Sequence, residues 1–155
     1  MAKAESASAK KQLDSFFAKY TPEMAELGKK CYAKMCKRLP GALVLVYDNY
    51  NALAIGFSPT ERASDGIFSL ALFPRHISLF FLQGAGLPDP HKRFEGSGNV
   101  ARHIKLKGAE SLDDPEIVSL MNTALHRAKV PLDPKQRGQL IIKSISAKQR
   151  PRRTA

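Results

Sequence analysis

Apolar residues recur along this chain with two different periods, and the first is helical. Leu13, Phe16, Phe17 and Tyr20 fall at i, i+3, i+4 and i+7, the stripe of a short amphipathic helix. Thr21-Pro22-Glu23 then supplies an N-cap, a proline for the first helical position and an acid for the first turn, so a second helix starts there. Met24, Leu27, Cys31, Met35 and Leu39 form its buried stripe, while Glu23, Glu26, Lys30, Lys34 and Lys37 face water. Pro40-Gly41 ends it.

From Ala42 the period changes. LVLVY (43–47), ALAIGF (52–57), IFSLALF (67–73) and ISLFFL (77–82) are short runs rich in β-branched and aromatic residues, separated by turn formers, and predict successive strands. Connections as short as Pro74-Arg75-His76 leave no room for a crossover, so the strands pair antiparallel. Residues 83–99 make the longest internal loop, and RHIKL (102–106) follows as a strand. Asp113-Asp114-Pro115-Glu116 caps a last helix, with Ile117, Leu120, Met121, Ala124, Leu125 and Ala128 as its buried stripe. Val130–Pro134 links it to a final strand, QLIIKSIS (139–146). The divisions that follow are a flexible polar leader at 1–8, a single domain at 9–146 and a basic tail at 147–155.

Composition narrows the class. With 155 residues and 43% hydrophobic content the chain can bury one core, and no apolar run reaches the roughly 18 to 20 residues that span a bilayer. The first residues lack the continuous apolar segment of a secretory signal, and the expected location is the cytoplasm. Cys31 and Cys36, five apart on a helix, point about 140° from each other, so reduced thiols are expected. His76, His91, His103 and His126 are scattered singly, which fits neither a zinc site nor any other metal cluster. Cys31, on its apolar stripe without a neighbouring His, reads as a core residue rather than a nucleophile.

Candidate chemistry centres on FEGSGNVARHIKL. Gly96 to Ala101 literally fits G-x-G-x-x-A, but these glycines follow a loop and open a strand, and residues 118–121 hold no acid for a ribose. A turn into a strand is the simpler reading. Alternation in that strand puts His103 and Lys105 on one face and Arg102, Ile104 and Leu106 on the other. The sharper reading makes the Gly96 and Gly98 amides, with Arg102, His103 or Lys105, an anion-friendly concavity at the end of the sheet. Tyr47, Asp48, Asn51 and His76 form a second candidate group, since strand ends can meet in space. Phe80, Phe81 and Phe94 sit in apolar strand context, which favours core packing over base stacking. No G-x-S-x-G elbow, Cys-His signature or carboxylate pair marks an active site, so no catalysis and no cofactor are expected.

Charge is the strongest physical signal. The net charge is +11, and seven of those positive charges lie in residues 135–155, which contain no acid. Lys148, Arg150, Arg152 and Arg153 form a tail able to neutralise phosphates without reading bases, so nucleic acid is a candidate partner.

The ordered succession of VYDNYNALAIGFSPTERASDGIFSLALFPRHISLFFLQGAGLPDP, GSGNVARHIKL, the capped helix from Leu112 and QLIIKSISAKQRPRR resembles the YdhG-like domain family, widespread in bacteria and largely of unknown function. The likeness covers roughly residues 12–153. It implies an α+β fold, with an antiparallel five- to six-stranded sheet packed against N- and C-terminal helices in a frataxin-resembling shape. It also implies kinship with intracellular iron chaperones. The matching helix here sets Glu23 and Glu26 against Lys29, Lys30, Lys34, Lys37 and Arg38, a face that repels a cation. The functional expectation is therefore a non-catalytic intracellular binding domain for an unknown small ligand or protein. Tail-driven polyanion binding and iron carriage are the alternatives.

Overall fold

The computed structural model describes residues 7–153. Helices α1 (Ala7–Phe17) and α2 (Pro22–Arg38) lead into β1 (Leu43–Asp48), β2 (Leu53–Ser58), β3 (Phe68–Leu72), β4 (Ile77–Phe81) and β5 (Arg102–Leu106), followed by α3 (Pro115–His126) and β6 (Leu140–Ile145). Residues 1–6 of the expected leader and the last two tail residues lie outside the described residues, and Ala7 and Ser8 already belong to α1. Among the described residues no helix is long and apolar enough to cross a membrane.

The caps form as their residues dictate. Thr21 Oγ1 accepts from the Met24 amide at 3.3 Å, and the Asp114 carboxylate accepts from the Glu116 amide at 2.9 Å, each just ahead of a proline at the first helical position. Gly41 turns the chain out of α2 with φ +86°, and a Cβ there would sit 2.2 Å from the Asp133 carbonyl oxygen.

The sheet order is β5-β4-β3-β2-β1-β6. The hairpins from β1 to β4 pair antiparallel as expected, and β5 joins β4 antiparallel after the long loop. The wholly antiparallel sheet is corrected in one place, because β6 runs parallel to β1, with a register break between Val46 and Tyr47. The antiparallel rule applies to strands joined by tight turns. β6 follows α3, and that long connection carries the chain across the helical layer to the opposite edge, arriving with β1's direction.

One core cluster joins all three helices to one face of the sheet. Val44, Val46, Leu53, Ile55, Phe57, Leu70, Leu72, Leu79 and Ile104 meet Leu13, Phe17, Cys31, Met35, Ile117 and Met121 there. Cys31 is wholly buried, and burial pushes its thiol up to about 11, so it is a core residue and not a nucleophile. Tyr20 lies past the end of α1 but is still buried. Its hydroxyl donates to the Leu72 carbonyl at 2.6 Å and accepts from the Leu53 amide at 3.2 Å, and burial pushes the phenol up to about 12.

At the C-terminal end of β1 a buried ion pair fastens the segment around Arg152 to the sheet, and Lys19, just past α1, joins it. Asp48 and Arg152, 1% and 4% exposed, meet at 2.9 Å, and Lys19 reaches the other Asp48 oxygen at 2.6 Å. Arg152 also donates to the Asn49 and Tyr50 carbonyls and lies 5.9 Å from the centre of the Tyr20 ring. Burial pushes the Asp48 carboxyl up, yet hydrogen bonds from Lys19, Arg152 and Gln149, with the Lys19 charge, outweigh it and hold the carboxyl below its ordinary value.

Two outcomes follow from this pair, and a third from Gly41. Removing one member of a buried pair strands its partner, so Asp48→Asn and Arg152→Met should each lower the unfolding free energy by about 3–5 kcal/mol in urea melts at pH 7, and the Asp48→Leu/Arg152→Met double variant should recover most of it. Because the folded carboxyl titrates below its unfolded counterpart, its stabilisation is complete above about pH 4 and is lost as pH falls through the folded value; Asp48→Asn should flatten that acid limb. Equal acid limbs in wild type and variant would show that Asp48 carries none of the acid sensitivity. Gly41→Ala should cost about 2 kcal/mol or more by the same measurement, through its left-handed backbone and the Asp133 contact.

Candidate functional site

Side chains alternate across a strand, so the face turned away from the helices collects what the core does not. The pairing registers align these residues in two rows. One runs Tyr47, Ala54, Ala71, Ser78, Lys105, and the other Leu45, Gly56, Ser69, Phe80, His103. Small residues occupy the middle of both rows and larger ones the flanks, which hollows the centre of the sheet.

The hollow runs along the strands in three adjoining parts that share Leu82. The first, about 590 Å³, lies between the β1–β2 turn and the β3–β4 end and is lined by Tyr50, Asn51, Ala54, Ala71, Phe73 and Phe80. A 220 Å³ part over Gly56, Ser58 and Ser69 is walled by Tyr47. The third, about 560 Å³, reaches Gln83, Asn99, Val100 and Lys129. Tyr47 Oη is buried and has no hydrogen-bond partner among the described residues, and burial raises its pKa.

Two aromatic–imidazole stacks stand beside this groove. Phe80 and His103 lie 4.9 Å apart at 27°, and Phe73 and His76 lie 4.6 Å apart at 15°. Burial first, then the Lys105 charge and the neighbouring His103, lower the His76 pKa, while Glu95 opposes them. Each of the lowering influences favours the neutral ring of His76. Lys105 is exposed. At the other end Arg150 stacks over Tyr50 at 5.8 Å, its amide bonded to the Tyr50 carbonyl at 2.9 Å.

The residues singled out in the sequence separate accordingly. Tyr47 and Asn51 line the groove, and His76, His103 and Lys105 cluster at its β4–β5 side. Asp48 points to the helical side and is consumed by Lys19 and Arg152. Arg102 shares the Phe81 row on the helical side and folds back onto its own loop, donating to the Gly98 and Ala101 carbonyls at 2.5 and 2.8 Å. Gly96, at φ +107°, and Gly98 belong to a hairpin turn closed by the Glu95–His103 bridge, and a carbonyl rather than an amide of Gly98 is engaged. The loop before it is tied down as well: Asp89 accepts from the Arg93 and Phe94 amides, and Arg93 bridges to Asp114 and Glu116.

The tail is docked, not free. Arg152 is in the buried pair and Arg153 donates to the Ala18 and Lys19 carbonyls at 3.2 and 3.3 Å, which leaves Lys148 and Arg150 as exposed cations. Among the described residues no three His, Cys, Asp or Glu side chains are grouped to hold a metal, and His91 is engaged with Glu116 at 3.4 Å.

Sequence reasoning missed Tyr50, Phe73, Phe80, Leu82 and Lys129. Phe81 and Phe94 do pack edge to face in the interior, at 4.8 Å, but Phe80 faces the groove. The available signal was Ala52, Ala54 and Gly56 in ALAIGF with Ser69 and Ala71 in IFSLALF, small residues at alternate positions that leave a hollow on one face of the sheet. Comparison of the chain with family models, curated proteins and solved structures found no match.

Proposed function

We propose that this chain is a non-catalytic binding domain of the YdhG-like kind, and that it holds a ligand with planar and anionic groups on the helix-free face of its sheet. The observation that carries this reading is the groove itself: a floor of Ala54, Gly56, Ser69 and Ala71 between aromatic walls. A solvent-facing sheet normally fills such positions with β-branched or long polar side chains that pack on one another. Small residues give up that packing and leave room for a flat guest.

The polar groups suit the same guest. Pockets that bind small molecules are largely apolar, with a few polar groups fixing orientation. Here the buried Tyr47 hydroxyl is the orienting group at the floor, and Lys105, Arg150 and Lys129 supply positive charge around the rim.

The test uses 8-anilinonaphthalene-1-sulfonate, a planar aromatic anion, as a fluorescent probe. Wild-type protein should bind it saturably at one site, and Ala54→Leu and Ala71→Leu, which fill the groove from neighbouring strands, should weaken binding at least about tenfold in variants that thermal melts show to be folded. Equal binding by the filled variants would remove the groove as the site.

A further inference from the structure

From the shape, the aromatic rings and the charge of the groove, we infer that its ligand is a single-stranded nucleic acid, whose bases stack on Tyr50, Phe73 and Phe80 while Arg150, Lys105 and Lys129 take the phosphates. This rests on the binding-face reading above and names the ligand class for it.

Length comes first. The three parts of the groove share Leu82, and their lining passes from the β1–β2 turn over the strands to Lys129 beyond them, an extended rather than a compact site. That suits an extended polymer better than a single small molecule.

Ring placement comes second. Tyr50 is 49% exposed, and Phe73 and Phe80 are half-buried, each braced by a histidine ring. A rigid aromatic platform accepts the π-face of any base without reading its edges. Only a single strand can offer that face, because a duplex keeps its bases stacked on each other.

Charge comes third. None of the described side chains lining the groove is acidic, and Lys129 is the one charged lining residue. Arg150 stands at the Tyr50 end and Lys105 beside His76 and His103, with Glu95 as the opposing acid there. The chain as a whole carries +11. An acidic peptide would satisfy these cations but would offer no planar partner to the groove-lining aromatic rings, which are backed by His76, His103 and Arg150.

Fluorescence anisotropy with labelled 12-mer oligouridylate and oligothymidylate, a 12-bp duplex and a polyglutamate peptide decides the matter on the full chain. The single strands should bind at least tenfold more tightly than the duplex and the peptide. Three phosphate contacts predict a log-log salt slope of about −2, reduced by about 0.7 in Lys129→Gln. Tyr50→Ala and Phe80→Ala should each weaken single-strand binding roughly 5- to 150-fold, the range for loss of one stacked base. Tyr50 is exposed enough that its variant tests stacking without a folding penalty. Equal affinity for duplex and single strand, tighter binding of polyglutamate, unchanged affinity in Tyr50→Ala, or no binding at all would each overturn the inference. If the naphthalene sulfonate still binds where the oligonucleotides fail, the groove stands and only the ligand class falls; if both fail, the binding face falls with it.

Discussion

The pair formed by Asp48 and Arg152 is the constraint on which both the fold and the groove depend. Two charges taken almost entirely out of water incur a large desolvation cost, which their mutual attraction offsets only when other hydrogen bonds complete the site. Here Lys19 serves the second Asp48 oxygen, Gln149 donates to the Asp48 carbonyl, and the Asn49 and Tyr50 carbonyls accept from the guanidinium, whose buried Nε alone has no partner among the described residues. The same contacts join the segment after α1, the end of β1 and residues 149–152. They also hold the β1–β2 turn, which carries Tyr50 and Asn51 to the head of the groove. A device that closes the fold on one side of the sheet therefore shapes the rim on the other.

The two faces of the sheet have opposite demands. The helical face is filled by Leu, Ile, Val and Phe, whose burial supplies the hydrophobic driving force. The other face holds Ala54, Gly56, Ser69 and Ala71 in its centre, residues that contribute little packing and favour strands weakly. Its stability is borrowed from the first face. Peripheral ion pairs serve the same end: Lys34 and Arg38 hold Asp113 ahead of α3, and Arg93 fastens the long loop to the first turn of α3. With the loop held in place, Gln83, Asn99 and Val100 form a defined far end of the groove rather than a shifting one.

These attachments also redistribute the meaning of the net charge. Arg152 neutralises a buried acid, Arg153 satisfies the carbonyls just past α1, Arg38 pairs with Asp113, and Arg93 binds the capping Asp114. Cations that remain exposed near the groove, Arg150, Lys105 and Lys129, matter more for ligand recognition than a count of basic residues in the tail would suggest.

Helix starts and the hairpin succession were legible in the sequence because they rest on local chemistry. Thr21-Pro22 and Asp114-Pro115 satisfy the first amides of their own helices, and the short connections from β1 to β4 admit only antiparallel neighbours. Alternation in RHIKL likewise set His103 and Lys105 apart from Arg102 before any tertiary contact was known. The direction of β6, the docking of Arg152 and the exposure of Phe80 instead depended on which distant elements meet. β6 joins β1 only because α3 carries the chain over the helical layer, and Arg152 is buried only because Asp48 lies at the end of that sheet. In ISLFFL every position is apolar or small, so one-dimensional pattern could not tell which of Phe80 and Phe81 faces the core. Covering one face of the sheet with three helices decided it, and left the groove on the helix-free face.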